Sequence, residues 1–102
     1  MNIQTKFQID LTVRSFAYVA KQLGTSPSAQ FAQILNEAER HRQALRLVQR
    51  DVLEFANQQW RERTLTETAF QRLRKEAERV IEQAQGKISR IAAQYSPQKL
   101  AA

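Results

Sequence analysis

Polar and apolar residues alternate at the start of the chain. Ile3, Phe7, Ile9, Leu11 and Val13 occupy odd positions, with Thr5 the one polar exception, while Asn2, Gln4, Lys6, Gln8, Asp10, Thr12 and Arg14 occupy even ones. A period of two puts one set on each face of a strand, so the pattern predicts a strand over residues 3–9. Further on, the period changes. Phe16, Ala20 and Leu23 continue Val13 at helical spacing, with Ala17 and Val19 widening the stripe. This predicts a short helix, capped by Asp10 or Thr12 and stopped at Gly24. A helical reading of the whole N-terminal segment is the rival, because this stripe extends back to Ile9.

Two longer helices follow. Ser26 is suited to an N-cap and Pro27 to the first helical position, where a missing N–H costs nothing. Phe31, Ile34, Ala38, His41, Leu45, Val48, Val52 and Phe55 then step by three and four, and no Gly or Pro interrupts residues 28–63. A helix of that length is about 50 Å long. Thr64-Leu65-Thr66-Glu67 has the form of a capping box. Phe70, Leu73, Ala77, Val80, Ala84, Ile88, Ile91 and Tyr95 follow as an apolar stripe that Ser96-Pro97 closes. Two amphipathic helices joined by a tight connection fold back as an antiparallel hairpin. The expected architecture is mainly α. A short N-terminal strand pairs with a second chain, and a helical hairpin follows. The organisation is 1–42 as one unit, 43–97 as the hairpin and 98–102 as a frayed tail. An all-α bundle is the alternative.

Charge changes the picture. Sixteen Lys and Arg against ten Asp and Glu give a net +6, and eleven of the sixteen are arginine. That balance favours a polyanion, usually nucleic acid, although a charge of this size also serves solubility. The rest of the composition removes options. There is no cysteine, one histidine (His41) and two glycines in 102 residues. No disulfide or thiolate–metal scaffold, glycine-rich phosphate loop or acid–base pair can be assembled, so neither an enzyme nor a cofactor is expected. No apolar run approaches a membrane span and no secretory signal precedes the first helix, which makes the cytoplasm the expected compartment.

Strand, short helix, Gly24-Thr25-Ser26-Pro27-Ser28 and a helix carrying Phe31, Ile34 and Leu35 together resemble the ribbon–helix–helix family of DNA-binding proteins. This family includes the Arc and methionine repressors, plasmid antitoxins and relaxosome accessory proteins. The resemblance covers about residues 3–42. It implies a homodimer or higher oligomer whose paired strands enter the major groove of double-stranded DNA, with Gln4, Lys6 and Gln8 reading base edges. It also implies a phosphate clamp of Thr25, Ser26 and Ser28 at a helix start. Independently, Arg42, Arg46 and Arg50 line one helical edge at spacing four with no acid among them, and are expected to bind phosphate. Arg72, Lys75 and Arg79 form a second row, followed by Lys87 and Arg90.

Two functions from different classes follow. One is a DNA-binding repressor, antitoxin or relaxosome accessory protein. The other is an all-helical basic scaffold subunit that contacts a nucleic-acid backbone or a protein partner. The small helical subunits of CRISPR effector complexes are similar to this chain in size, charge and helix content.

Overall fold

The computed structural model describes residues 1–25 and 31–96. Three helices account for nearly all of them: α1 (Ile3–Gly24), α2 (Phe31–Arg61) and α3 (Glu67–Ala93). There is no strand among the described residues. The ribbon–helix–helix expectation is therefore corrected, and the chain is an all-α bundle.

The N-terminal alternation has a helical cause. Ile3, Phe7 and Leu11 are spaced by four, and so are Thr5, Ile9 and Val13. Each set stacks on one side of a helix. The sets are offset by two residues, or about 200° of rotation at 3.6 residues per turn. Two opposite helical stripes, interleaved, read as period two. A helix also satisfies its own backbone, whereas a lone strand leaves donors and acceptors for a second chain to fill. The cap differs accordingly. Asn2, not Asp10 or Thr12, is the N-cap, and its side chain accepts from the Thr5 N–H at 2.8 Å.

α2 and α3 form the antiparallel hairpin, and their connection is chemically specific. The Thr64 N–H donates to the Gln59 carbonyl at 2.9 Å and the Arg63 N–H to the Trp60 carbonyl at 3.0 Å. With Arg63 at φ 59°, this is a Schellman ending for α2. Thr64 belongs to that ending, its hydroxyl also donating to the Gln59 carbonyl and side chain. The N-cap of α3 is instead Thr66, which accepts from the Ala69 N–H at 3.1 Å. Glu67 in the first turn complements the helix dipole. Trp60 stacks on Phe70 with centroids 5.4 Å apart and closes this end of the hairpin.

One core draws on all three helices: Ile9, Phe16 and Ala20 from α1, Ile34, Ala38, Leu45 and Val48 from α2, and Ile81, Ala84, Ile88 and Ala92 from α3. Positions 42 and 43 lie within α2. Alanines at Ala20, Ala38, Ala84 and Ala92 let the backbones approach closely, while Phe16, Leu45 and Ile88 supply the volume. The result is a rod of 56 × 19 × 19 Å. No described helix is long and apolar enough to cross a membrane.

Candidate nucleic-acid interface

The expected base readers do not form one surface. Gln4 and Gln8 share a side of α1, and Gln8 lines a cleft of about 250 Å³ with Val48, Asp51, Val52 and Phe55. Lys6 points the other way, its Nζ 3.6 Å from Glu76 on α3. With no ribbon to enter a groove, the base-reading role assigned to these three is withdrawn. Thr25 is a helix end rather than a helix start. It caps the C-terminus of α1, and its hydroxyl donates to the Gln22 carbonyl at 3.0 Å. Ser26, Pro27 and Ser28 lie outside the described residues.

The α2 arginine row is occupied by the protein itself. Arg46 is 3.0 Å from Glu39. Arg50 is 3.6 Å from Asp51 and 3.7 Å from Glu54. Arg42 donates to the Ser89 hydroxyl of α3. The hydrogen bond from Arg46 holds the Glu39 carboxyl below the usual carboxylate range. Sequence spacing hides the Arg46–Glu39 pair because its partners are two turns apart, bridged by long side chains.

The α3 row is different. Arg72, Lys75, Arg79, Lys87 and Arg90 are all exposed. None makes an ion pair among the described residues. Arg72, Arg79 and Arg90 lie almost on one line of the helix, with Lys75 and Lys87 on either side. From Arg72 to Arg90 the row spans about 27 Å at 1.5 Å per residue. The carboxylate that spacing offers to Arg72 is taken elsewhere. Glu76 binds the chain's N-terminal ammonium at 3.2 Å and Lys6 at 3.6 Å. Those contacts, the ammonium hydrogen bond first, hold Glu76 below the ordinary carboxylate range, against its partial desolvation. Arg74 lies on the other side of α3, over the Phe70 ring, 5.7 Å from its centroid. Glu76 sits within the sector of the ridge and Glu82 at its edge. Glu82 lines a shallow depression with Arg79, Gln83, Gly86, Lys87 and Arg90. Gly86 makes the floor of that depression: a Cβ there meets only an Arg90 guanidinium nitrogen, at 3.7 Å.

His41 is structural. Its Nδ1 is 2.7 Å from the Glu37 carbonyl and its Nε2 is 3.3 Å from the Ser15 hydroxyl. Facing a carbonyl, Nδ1 donates, which leaves Nε2 of a neutral ring to accept from Ser15. The ring also packs on Phe16, with centroids 5.5 Å apart.

Fold and surface together define a class: an all-helical bundle with a row of exposed cations along α3. Comparison with protein-family models, curated proteins and solved structures found no match.

Proposed function

We propose that this chain is a helical scaffold subunit that lays the outer face of α3 along a nucleic-acid backbone without reading its sequence. The observation that carries the reading is the α3 ridge, five exposed cations without an ion-pair partner among the described residues. Lys6, Arg40, Arg46 and Arg50 are paired with acids and Arg74 lies over a ring, but only on α3 do unpaired cations gather in a row. Leaving five like charges on one helix face disfavours the helix unless anions lie beside it. A ridge of about 27 Å runs past about eight phosphates of one B-form strand. Contacts from Lys and Arg to phosphate fix position and carry no base information. In size, charge and helix content the small helical subunits of CRISPR effector complexes offer one setting for such a protein.

Fluorescence anisotropy with labelled oligonucleotides of permuted sequence, as single- and double-stranded DNA and RNA, tests this. Binding is expected to be independent of sequence and to weaken steeply with salt. Replacing Arg72, Lys75, Arg79 and Arg90 together by alanine lowers affinity for every sequence, and the log–log salt slope falls by about 0.7–0.9 per lost contact. Unchanged binding by that variant, or no binding by the parent at about 50 mM salt, refutes the assignment.

A further inference from the structure

The α3 ridge holds no aromatic side chain, but exposed aromatics stand beside it on α1. The two helices run side by side. Lys6 reaches Glu76 at 3.6 Å, Asp10 and Val13 share a groove with Gln83 and Lys87, and Gly24 meets the Tyr95 ring. Phe7 and Tyr18 fall between these contacts, alongside the stretch that carries Arg79, Lys87 and Arg90. They are 60% and 66% exposed. On α1 they are interleaved with cations. Phe7, Arg14, Tyr18 and Lys21 recur at spacings of seven, four and three, which is one side of a helix. Arg14 stands one turn beyond Asp10, so this side borders the edge of α1 that faces α3. Arg14 and Lys21 are exposed and make no ion pair among the described residues. We infer that α1 and α3 together form a binding face for single-stranded nucleic acid. Phosphates run along the α3 cations with Arg14 and Lys21 in support, and unpaired bases stack on Phe7 and Tyr18. This rests on the reading of α3 as a backbone contact.

The chemistry of the face selects this occupant. A second copy of the chain would bring its own +6 against these cations. An uncharged apolar partner would desolvate Arg14 and Lys21 and return no countercharge. A single strand supplies an anion and a flat apolar ring in every nucleotide, and cationic tracks lined with aromatics are the usual platform for it. A duplex supplies the anions alone, because its bases are already stacked on one another. Phe7 and Tyr18 are about 16 Å apart along α1, so they take two separate bases of one strand. Ile3 and Leu11, one turn to either side of Phe7 and also exposed, widen the apolar surface there. Asp10 is the only carboxylate of α1. It shares the groove with Lys6 and Lys87, which offset its charge.

Fluorescence anisotropy of the full chain with a labelled, unstructured single strand of about 20 nucleotides, and with the duplex it forms with its complement, tests this. At about 150 mM salt the single strand is expected to bind more tightly, and the margin to widen with salt, because stacking releases no counterions. The double variant Phe7→Leu, Tyr18→Leu keeps an apolar surface and loses the rings. It is expected to lower single-strand affinity by at least about 10-fold, with the salt slope unchanged and duplex affinity little altered. Phe7→Trp, Tyr18→Trp keeps the affinity of the parent. Arg14→Gln and Lys21→Gln each lower the single-strand salt slope by about 0.7. Both aromatics lie outside the core, so the far-UV circular dichroism of these variants matches the parent. A parent that binds the duplex as tightly as the single strand overturns the inference and leaves the α3 assignment standing. So does a leucine variant that loses no single-strand affinity. Single-strand binding that survives replacement of Arg72, Lys75, Arg79 and Arg90 overturns both.

Discussion

Arg63 is the one described non-glycine residue with positive φ, at 59°. It holds the left-handed position of the Schellman ending, where glycine is the usual occupant because it has no Cβ to clash. An L-residue there costs roughly 1–2 kcal/mol. Arg63→Gly is therefore expected to raise stability by about 1 kcal/mol, seen as a higher urea midpoint at constant m-value. An unchanged midpoint means that the arginine side chain offsets its backbone strain. The two glycines divide differently. Gly24 reads in the sequence as a left-handed helix stop, yet its φ is not positive and Thr25 is the C-cap. Its reason is space: a Cβ at Gly24 would collide with the Tyr95 ring. A Cβ at Gly86 would make only an ordinary contact with the Arg90 guanidinium. Gly86→Ala is expected to stabilise by about 0.5–1 kcal/mol through backbone entropy, and Gly24→Ala to destabilise by about 1–3 kcal/mol through overpacking against Tyr95. Thermal melts of the pair check both signs. Nothing local distinguishes the two glycines in the sequence, because Tyr95 lies at the far end of the chain.

The pair Phe7 and Ile9 separates the two readings of α1. On a strand both lie on the same face and are equivalent. On the helix Ile9 is 3% exposed and Phe7 60%. Ile9→Ser is expected to cost about 2–4 kcal/mol, from lost apolar volume and a buried hydroxyl, and Phe7→Ser less than about 0.5 kcal/mol. Equal losses in chemical denaturation are inconsistent with the helix. The N-terminus of α1 is tied to α3 through Glu76. With its pKa lowered in the folded state, this carboxylate stabilises the fold above its unfolded value. That contribution is lost as pH falls through the folded value. The stability gap between the parent and Glu76→Gln is thus expected to be constant at neutral pH and to close in acid, below the ordinary carboxylate range. A gap that widens in acid inverts the argument. Helices α2 and α3 and their hairpin were legible because their stripes keep one period over seven or eight turns. The short α1 was not, because two stripes on opposite sides erase the helical period over a dozen residues. Ile81 was also missed as a core residue: α3 packs against two helices and buries a wider sector than one stripe describes.

Across the whole molecule, charge is segregated rather than merely in excess. Arg42, Arg46 and Arg50 are engaged by Ser89, Glu39, Asp51 and Glu54, whereas the α3 row makes no ion pair among the described residues. Composition discloses the +6. It does not disclose where the charge is free, because that depends on which carboxylates long side chains reach along α2 and on the N-terminus that takes Glu76. Arg42, Arg46 and Arg50 therefore looked the better row in sequence and are the more occupied one in space. The free ridge has a thermodynamic consequence even without a ligand. Five cations along one helix repel each other, and salt screens that repulsion as the Debye length contracts from about 30 Å at 10 mM to about 10 Å at 100 mM. A repulsion on the order of 0.5 kcal/mol in a domain of this size corresponds to about 2–4 °C. The melting temperature is expected to rise by that amount across this range, and the doubly neutralised variant Lys75→Gln, Lys87→Gln to start higher and rise less. Nucleic-acid affinity falls over the same range, so the two salt responses have opposite signs and a common origin in α3. A melting temperature that ignores salt means that the ridge is already neutralised within the chain, which removes the reason to look for a polyanion on it.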